Sequence, residues 1–370
     1  MKPRKDEIAI TATFCVFLAV MCLLYLFLPK DSFSQLEKRY LAETPEVSWK
    51  NIASGQFGED AETYMADHIP GRDFFVGLNA YFELLTGRQN ASDIYTTQDG
   101  RLVEAPAKWN EAGVAKNMSA INSFAQAVGQ TVDLLLVPSA GWASRENIAG
   151  PSAPYQDAEL IQAIYAMAQD SVSPLDVTAR FDDPGLYYRT DHHWTSQGAY
   201  TAYEAYMTSL GREYRDQSDF TIETASGFYG STYSRAALWL TPAEDLELWT
   251  GSTSVTVTNG DSDTVNQSIF YRQRLEETDK YTVYLDGNHS LVRIENPDAK
   301  GCGKLLVIRD SYSNCLGGFL AESYETVVLV DLRYYNKSIS QLCQEEGFDN
   351  ILVCYSLGNF LTDANIIWLR

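Results

Sequence analysis

Beyond residue 300 the chain alternates short apolar runs with helical segments. Lys304–Ile308, Thr326–Val330 and Ile351–Cys354 read as strands, and Ser313–Ala321 and Ile339–Glu346 between them read as helices. Strands this short and this uniformly apolar are buried on both faces, and helical crossovers make them parallel. Upstream the pattern continues. Ala112–Val128 reads as a helix, Thr131–Val137 as a strand ending at Pro138, Ala158–Ala168 as a helix, and 196–210 as a helix capped by Thr195 or Ser196. The expected fold is therefore an α/β parallel sheet with helices on both faces. Ligands bind such sheets at the carboxyl ends of the strands, where Pro138, Ser311 and Asp331–Tyr335 fall.

Two regions depart from the alternation. Residues 212–300 are rich in Thr, Ser, Tyr and Gly and read as a β-rich insertion, with strands over Leu246–Val257 and Tyr281–Ile294. The insertion returns toward the sheet through Asp286-Gly287-Asn288-His289. At the other end, Ile8–Leu28 carries no charge. It exceeds the roughly 20 residues that cross a bilayer as a helix. Lys2, Arg4 and Lys5 precede it, which sets the N-terminus in the cytoplasm. The run ends in Leu28-Pro29-Lys30 without a small-residue cleavage site, so an uncleaved anchor is expected. The expected organisation is a cytoplasmic tip and anchor over 1–30, a linker over 31–55 and one catalytic domain over 56–370. That domain would lie outside the cytoplasm. Within it, 56–86 is helical with a turn at His68–Arg72, and Ile94–Val103 is a hairpin.

The net charge is −21, and no basic tract offers a track for phosphates, which excludes nucleic acid as a partner. Of six cysteines, Cys302, Cys315, Cys343 and Cys354 lie beyond the anchor. If they pair, Cys302–Cys343 and Cys315–Cys354 are expected, each pair at one end of neighbouring strands.

The chain holds only four histidines, and two of them are adjacent in Arg189-Thr190-Asp191-His192-His193-Trp194. In an extended segment Asp191 and His193 share a face, so the carboxylate can orient the imidazole while His192 faces away. Ser311 stands where a strand gives way to a helix. There the free N–H groups and positive end of the helix would stabilise an oxyanion, although serine is equally an ordinary N-cap. Asp191, His193 and Ser311 supply the acid, base and nucleophile of acyl transfer through a serine. A zinc site is not expected, since adjacent histidines diverge and neither His-Glu-x-x-His nor Cys-x-x-Cys is present. No cofactor is expected.

Tyr187–Trp194, followed by Gly198-Ala199-Tyr200, resembles the signature of the bacterial DHHW family. That family is similar to the alginate O-acetyltransferases and other SGNH-hydrolase-like acyltransferases. The resemblance runs from about residue 35 to the end and includes Asp67–Asp73, Asp99-Gly100 and Asp331–Tyr335. It implies an SGNH-like fold and a catalytic triad of Asp191, His193 and Ser311. It also implies O-acetyl transfer on a cell-surface polysaccharide and a membrane-bound O-acyltransferase that delivers acetyl groups. The family's usual glycine near the serine is missing from Arg309-Asp310-Ser311. Gly287-Asn288 is the candidate for the Gly and Asn that SGNH enzymes use at the oxyanion. Arg333 is a candidate for binding an acidic sugar or an acyl carbonyl, with a surface ion pair as its alternative. The rival reading is a non-catalytic glycan-binding or assembly protein that retains the fold.

Overall fold

The computed structural model describes residues 4–34, 39–88, 93–251, 254–260, 262 and 264–369. Lys2 of the basic flank lies outside them. Helix α1 (Lys5–Phe27) is long and apolar enough to cross a membrane, and none of it is buried against the rest of the protein. A two-residue ladder, β1 (Phe33–Ser34) and β2 (Arg39–Tyr40), leads into helices α2 (Trp49–Ser54), α3 (Gln56–Asp67) and α4 (Arg72–Leu85), then the hairpin β3 (Ile94–Thr96) and β4 (Leu102–Glu104). Next come α5 (Glu111–Val128), β5 (Val132–Val137), α6 (Ala140–Ala143), α7 (Asp157–Tyr165), β6 (Val172–Leu175) and α8 (Ser196–Ser209). The β-rich stretch supplies β7 (Thr221–Phe228), α9 (Ser231–Ala236), β8 (Glu244–Thr250), β9 (Thr256–Asn259), β10 (Val265–Asn266) and β11 (Leu291–Glu295). The chain closes with β12 (Lys304–Arg309), α10 (Ser313–Ala321), β13 (Thr326–Val330), α11 (Ile339–Glu346), β14 (Asn350–Ser356) and α12 (Leu357–Thr362).

One eight-stranded sheet in the order β10-β9-β11-β13-β12-β14-β5-β6 organises these elements. Strands β13, β12, β14, β5 and β6 pair parallel. Strand β11 pairs antiparallel with both β13 and β9, and β9 with β10. The architecture is thus α/β with a parallel core, as the alternation beyond residue 300 dictates. The β-rich stretch adds an antiparallel flank to the same sheet. In β12, Leu305 and Val307 enter one apolar layer with residues of α8 and α10, while Leu306 and Ile308 enter the opposite layer with residues of α5, α7, α11 and α12. Covering both faces is what a uniformly apolar strand requires.

Three expectations change. The run Leu246–Val257 is two strands, β8 and β9. The expected strand Tyr281–Ile294 begins as a 3-10 turn at Lys280–Val283 and becomes extended only at Leu291. Between them Leu285, Asp286 and Gly287 have φ of 57°, 64° and 86°, a left-handed path that no strand can follow. The cysteines are all free thiols. Cys315 and Cys354 are buried in the same apolar layer and behave as small hydrophobes. Neither the expected Cys302–Cys343 nor the expected Cys315–Cys354 bridge is present, and burial pushes the Cys315 thiol up to about 12.

Asp133 of β5 points at the Tyr206 hydroxyl, which donates to its Oδ2 at 3.3 Å. Burial raises this carboxyl from the ordinary range to about 6. A raised carboxyl favours the protonated form in the folded state. Stability is therefore lost as pH rises from the unfolded value near 4 through about 6, and is constant above. We predict that Asp133→Asn stabilises the protein at pH 8 by about 1–3 kcal/mol and has no effect at pH 3. Urea unfolding followed by tryptophan fluorescence at the two pH values reads this difference.

Candidate active site

Strand β12 lies inside the parallel core between β13 and β14, and its carboxyl end runs through Asp310 into Ser311 before α10 begins. Asp310 is buried, and its carboxylate accepts from the Tyr312 N–H at 3.0 Å, the Ser356 N–H and hydroxyl at 2.9 Å each, and Asn359 Nδ2 at 2.8 Å. These bonds turn the side chain toward the end of β14 and away from the serine. Asp310 is therefore a brace between the ends of β12 and β14. Ser311 is partly exposed, and among the described residues its N–H has no partner within the protein.

The histidine comes from a loop that closes on itself. Tyr187 bridges Trp194 antiparallel, and the Tyr188 N–H donates to the His193 carbonyl. The tip is a tight bend rather than an extended segment. Asp191 Oδ1 accepts from the His193 backbone N–H at 2.9 Å and from His193 Nδ1 at 2.5 Å. His193 Nε2 lies 2.7 Å from Ser311 Oγ. The three residues read from the sequence thus form a continuous chain, with the proton on Nδ1 and the Nε2 lone pair facing the serine hydroxyl. Trp194 Nε1 donates to the Tyr312 carbonyl at 3.0 Å, which fastens the histidine loop to the serine turn.

The surrounding residues fix this chain. The Ser231 N–H, at the start of α9, donates to Asp191 Oδ2 at 2.6 Å. Glu244 accepts from the Arg189 and Thr190 N–H groups at 2.7 Å each. Tyr281 stacks on the His193 ring with centroids 3.9 Å apart and planes 10° from parallel. Burial pushes the Asp191 carboxyl up. His193, His192 and the hydrogen bonds outweigh burial and hold it well below the usual carboxylate range. It is thus ionised wherever the imidazole needs it.

His192 does not face away as an extended segment would require. Its ring lies 3.9 Å from that of His193, and its Nδ1 is 2.6 Å from Ser231 Oγ. Burial and then the neighbouring imidazole lower its pKa, which favours the neutral ring. Asp191, His192 and His193 could together reach one metal ion. Here both Asp191 oxygens are committed to N–H donors, and both His193 nitrogens are committed to Asp191 and Ser311.

The other sequence candidates divide. Asn288 reaches the serine turn, where its Oδ1 accepts from Arg309 Nη1 at 3.1 Å and from Asn314 Nδ2 at 3.0 Å. Its own Nδ2 remains free to donate, because among the described residues it has no partner. Gly287 supplies the last left-handed step before it. Arg333 is not in contact with the triad: Asp331 holds its guanidinium through Nε at 2.9 Å and Nη2 at 2.6 Å.

Sequence reasoning passed over Asn314, Tyr281, Glu244 and Gly230, gave Arg309 no role, and met Asp310 only as a departure beside Ser311. For Arg309 a signal existed, since a charge that ends an otherwise apolar strand needs a reason. For Tyr281 and Glu244 none did, because their partners are distant in sequence.

The comparisons with known proteins bear on the family and the fold. Residues 175–330 match the family model described as DHHW protein. Among solved structures, a DHHW family protein from Eubacterium siraeum DSM 15702 is 23% identical, with a TM-score of 0.63 over 75% of this chain and 95% of that one. Bacillus cereus PatB1 with a sulfonyl adduct is also 23% identical, with a TM-score of 0.61 over 75% of this chain and 98% of that one. No curated protein matches. The DHHW resemblance and the α/β architecture read from the sequence are both found.

Gly230 tests the geometry. A Cβ there would sit 2.2 Å from the Asp191 Cβ and 2.6 Å from its Cα. A displacement of this order costs about 100-fold in rate at an oriented site. Gly230→Ala is expected to slow reaction of the protein with p-nitrophenyl acetate by about that factor. Gly58→Ala, which meets nothing within 4 Å, should leave the rate unchanged. Equal rates in the two variants would mean that the Asp191 position does not matter.

Proposed function

We propose that this protein is a membrane-anchored, extracytoplasmic serine acyltransferase or acylesterase that transfers O-acetyl groups on a cell-envelope or exported polysaccharide. The observation that carries this reading is the bridge made by His193, 2.5 Å from Asp191 Oδ1 on one side and 2.7 Å from Ser311 Oγ on the other. An imidazole held between a carboxylate and a hydroxyl in this way is the arrangement that activates serine.

In the proposed reaction His193 Nε2 takes the Ser311 proton as Oγ attacks the carbonyl of an acyl donor. Asp191 stabilises the imidazolium that results. The oxyanion faces the Ser311 N–H and Asn288 Nδ2, both donors without partners among the described residues. The imidazolium returns its proton to the leaving oxygen, and Ser311 is left acylated. A sugar hydroxyl, or water, then gives its proton to His193 and takes the acyl group, and as the acyl–Oγ bond breaks the imidazolium returns that proton to Ser311 Oγ. The acetyl donor in this reading is a membrane-bound O-acyltransferase, because an extracytoplasmic domain has no access to cytoplasmic acetyl-CoA. Helix α1 supports the anchored placement by its length and apolar character.

PatB1 carries a sulfonyl adduct in its solved structure, and sulfonyl groups are captured by activated nucleophiles. The rival reading, a non-catalytic glycan-binding or assembly protein, rested on the missing glycine beside Ser311. The bonds that turn Asp310 away from the serine weaken that ground.

Full-length protein treated with p-nitrophenyl acetate or phenylmethanesulfonyl fluoride is expected to gain one acyl or sulfonyl group by intact mass. Ser311→Ala should gain none. Asp191→Asn should slow acylation by on the order of 10⁴-fold, the scale of losing the carboxylate that orients a catalytic histidine. Folded parent protein that gains no adduct would overturn the reading.

A further inference from the structure

Helix α4 has two apolar faces, and the fold covers only one. Gly77 and Ala80 are buried on the inner face, where Tyr81 and Leu84 pack with Ile94, Leu102, Ala236 and Leu238. Phe74, Phe75, Leu78, Phe82 and Leu85 are between 40% and 87% exposed. At 3.6 residues per turn these five fall within an arc of about 100°. Leu240, 74% exposed, extends the stripe, held there by its N–H bond to the Tyr81 hydroxyl and by the stacking of Phe74 on Trp239. A contiguous apolar patch of this kind marks an interaction surface rather than ordinary scatter.

Its place in the fold points to the occupant. The segment that leaves α1 packs on the turn that starts α4. Leu28, Pro29 and Lys30 line a cleft of about 410 Å³ with His68, Ile69 and Arg72, and Lys30 Nζ reaches both the Tyr25 and His68 carbonyls. The junction is firmly bonded. Asp67, at the end of α3, accepts from Arg39 at 2.9 and 2.5 Å and from the Ala42 N–H at 2.9 Å, and it lies 3.7 Å from Arg72 Nε. These bonds hold the first turn of α4 where α1 ends. The exposed aromatic Tyr40 is held at the same junction. If α1 crosses a membrane, α4 begins at the membrane surface.

We propose that α4 lies in the lipid–water interface and buries its Phe74–Leu85 stripe among acyl chains, as a second membrane contact beside α1. The proposal rests on α1 crossing the bilayer and is independent of the chemistry assigned to Ser311. The exposed start of α4 carries Asp73, Arg72 is half-buried beside Asp67, and the chain as a whole is strongly acidic. Apolar burial rather than headgroup charge therefore supplies the attraction, and zwitterionic lipid is sufficient.

The test is photo-crosslinking of full-length protein in phosphatidylcholine liposomes doped with a phosphatidylcholine that carries a diazirine in its acyl chain, followed by tryptic mapping. Adducts are expected on α1 and on the peptide spanning residues 73–88. The variant Phe74→Ser/Leu78→Ser/Phe82→Ser/Leu85→Ser should lose at least fivefold of the adducts on 73–88 and keep those on α1. Adducts on α1 with none on 73–88 in the parent protein would overturn the proposal and leave the anchor standing. Adducts on neither would overturn both.

Discussion

The Asp310 carboxylate ties together the two strand ends on which the site is built. A buried carboxylate is costly unless donors surround it, and here every contact is a donor: the N–H of Tyr312, the N–H and hydroxyl of Ser356, and the amide of Asn359. Two of these residues open α12, whose positive end adds to the compensation. The chain leaving β12 must therefore turn where β14 turns, and the next residue, Ser311, is presented at the carboxyl edge of the sheet. An unpaired carboxylate would be left if the turn moved, so the cost of burial becomes a constraint on position.

The histidine side of the site depends on the β-rich stretch in a comparable way. The loop from Tyr187 to Trp194 makes few ladder bonds of its own. Glu244 from β8, Gly230 and Ser231 before and within α9, and Tyr281 from the 3-10 turn enclose it. The close approach at Gly230 explains why a side chain is excluded there. A segment that reads as an addition to the fold is also the mould for Asp191 and His193. Its antiparallel strands β9 and β11 fasten that mould to the same sheet that carries Ser311.

What the sequence made legible follows from which interactions are local. Strands β12, β13 and β14 and helices α10 and α11 were readable because burial on both sheet faces forces uniformly apolar strands, with the helices between them. Asp191, His193 and Ser311 were readable because their chemistry is carried by residue type and by the resemblance of their flanks. Gly287-Asn288 was readable as a turn, but the left-handed path of Leu285 and Asp286 before it was not, since neither residue type marks it; there the Leu285 N–H donates to the Ile269 carbonyl. Nor was the bend at Asp191, where the side chain bonds its own backbone two residues on. Cys315 and Cys354 are packed as small apolar side chains in one layer, which spacing along the chain does not reveal.

Arg309 remains the least ordinary feature of the site. It is fully buried, and its nearest carboxylate oxygen, on Asp331, is 3.9 Å away and shared with Arg333. Its shorter bonds go to neutral amides, Asn314 Oδ1 at 2.7 Å and Asn288 Oδ1 at 3.1 Å. Burial lowers its pKa, but a guanidinium keeps its proton inside proteins. The positive charge is thus directed at the two amides that flank the serine turn. Drawing the Asn288 oxygen inward leaves its Nδ2 outward and makes that N–H a stronger donor, since a hydrogen-bonded chain polarises its members. In the proposed reaction negative charge develops at that donor. A buried cation with only part of a counter-ion behind it suits a developing oxyanion better than a neutralised pair would, because its field is fixed before the charge appears.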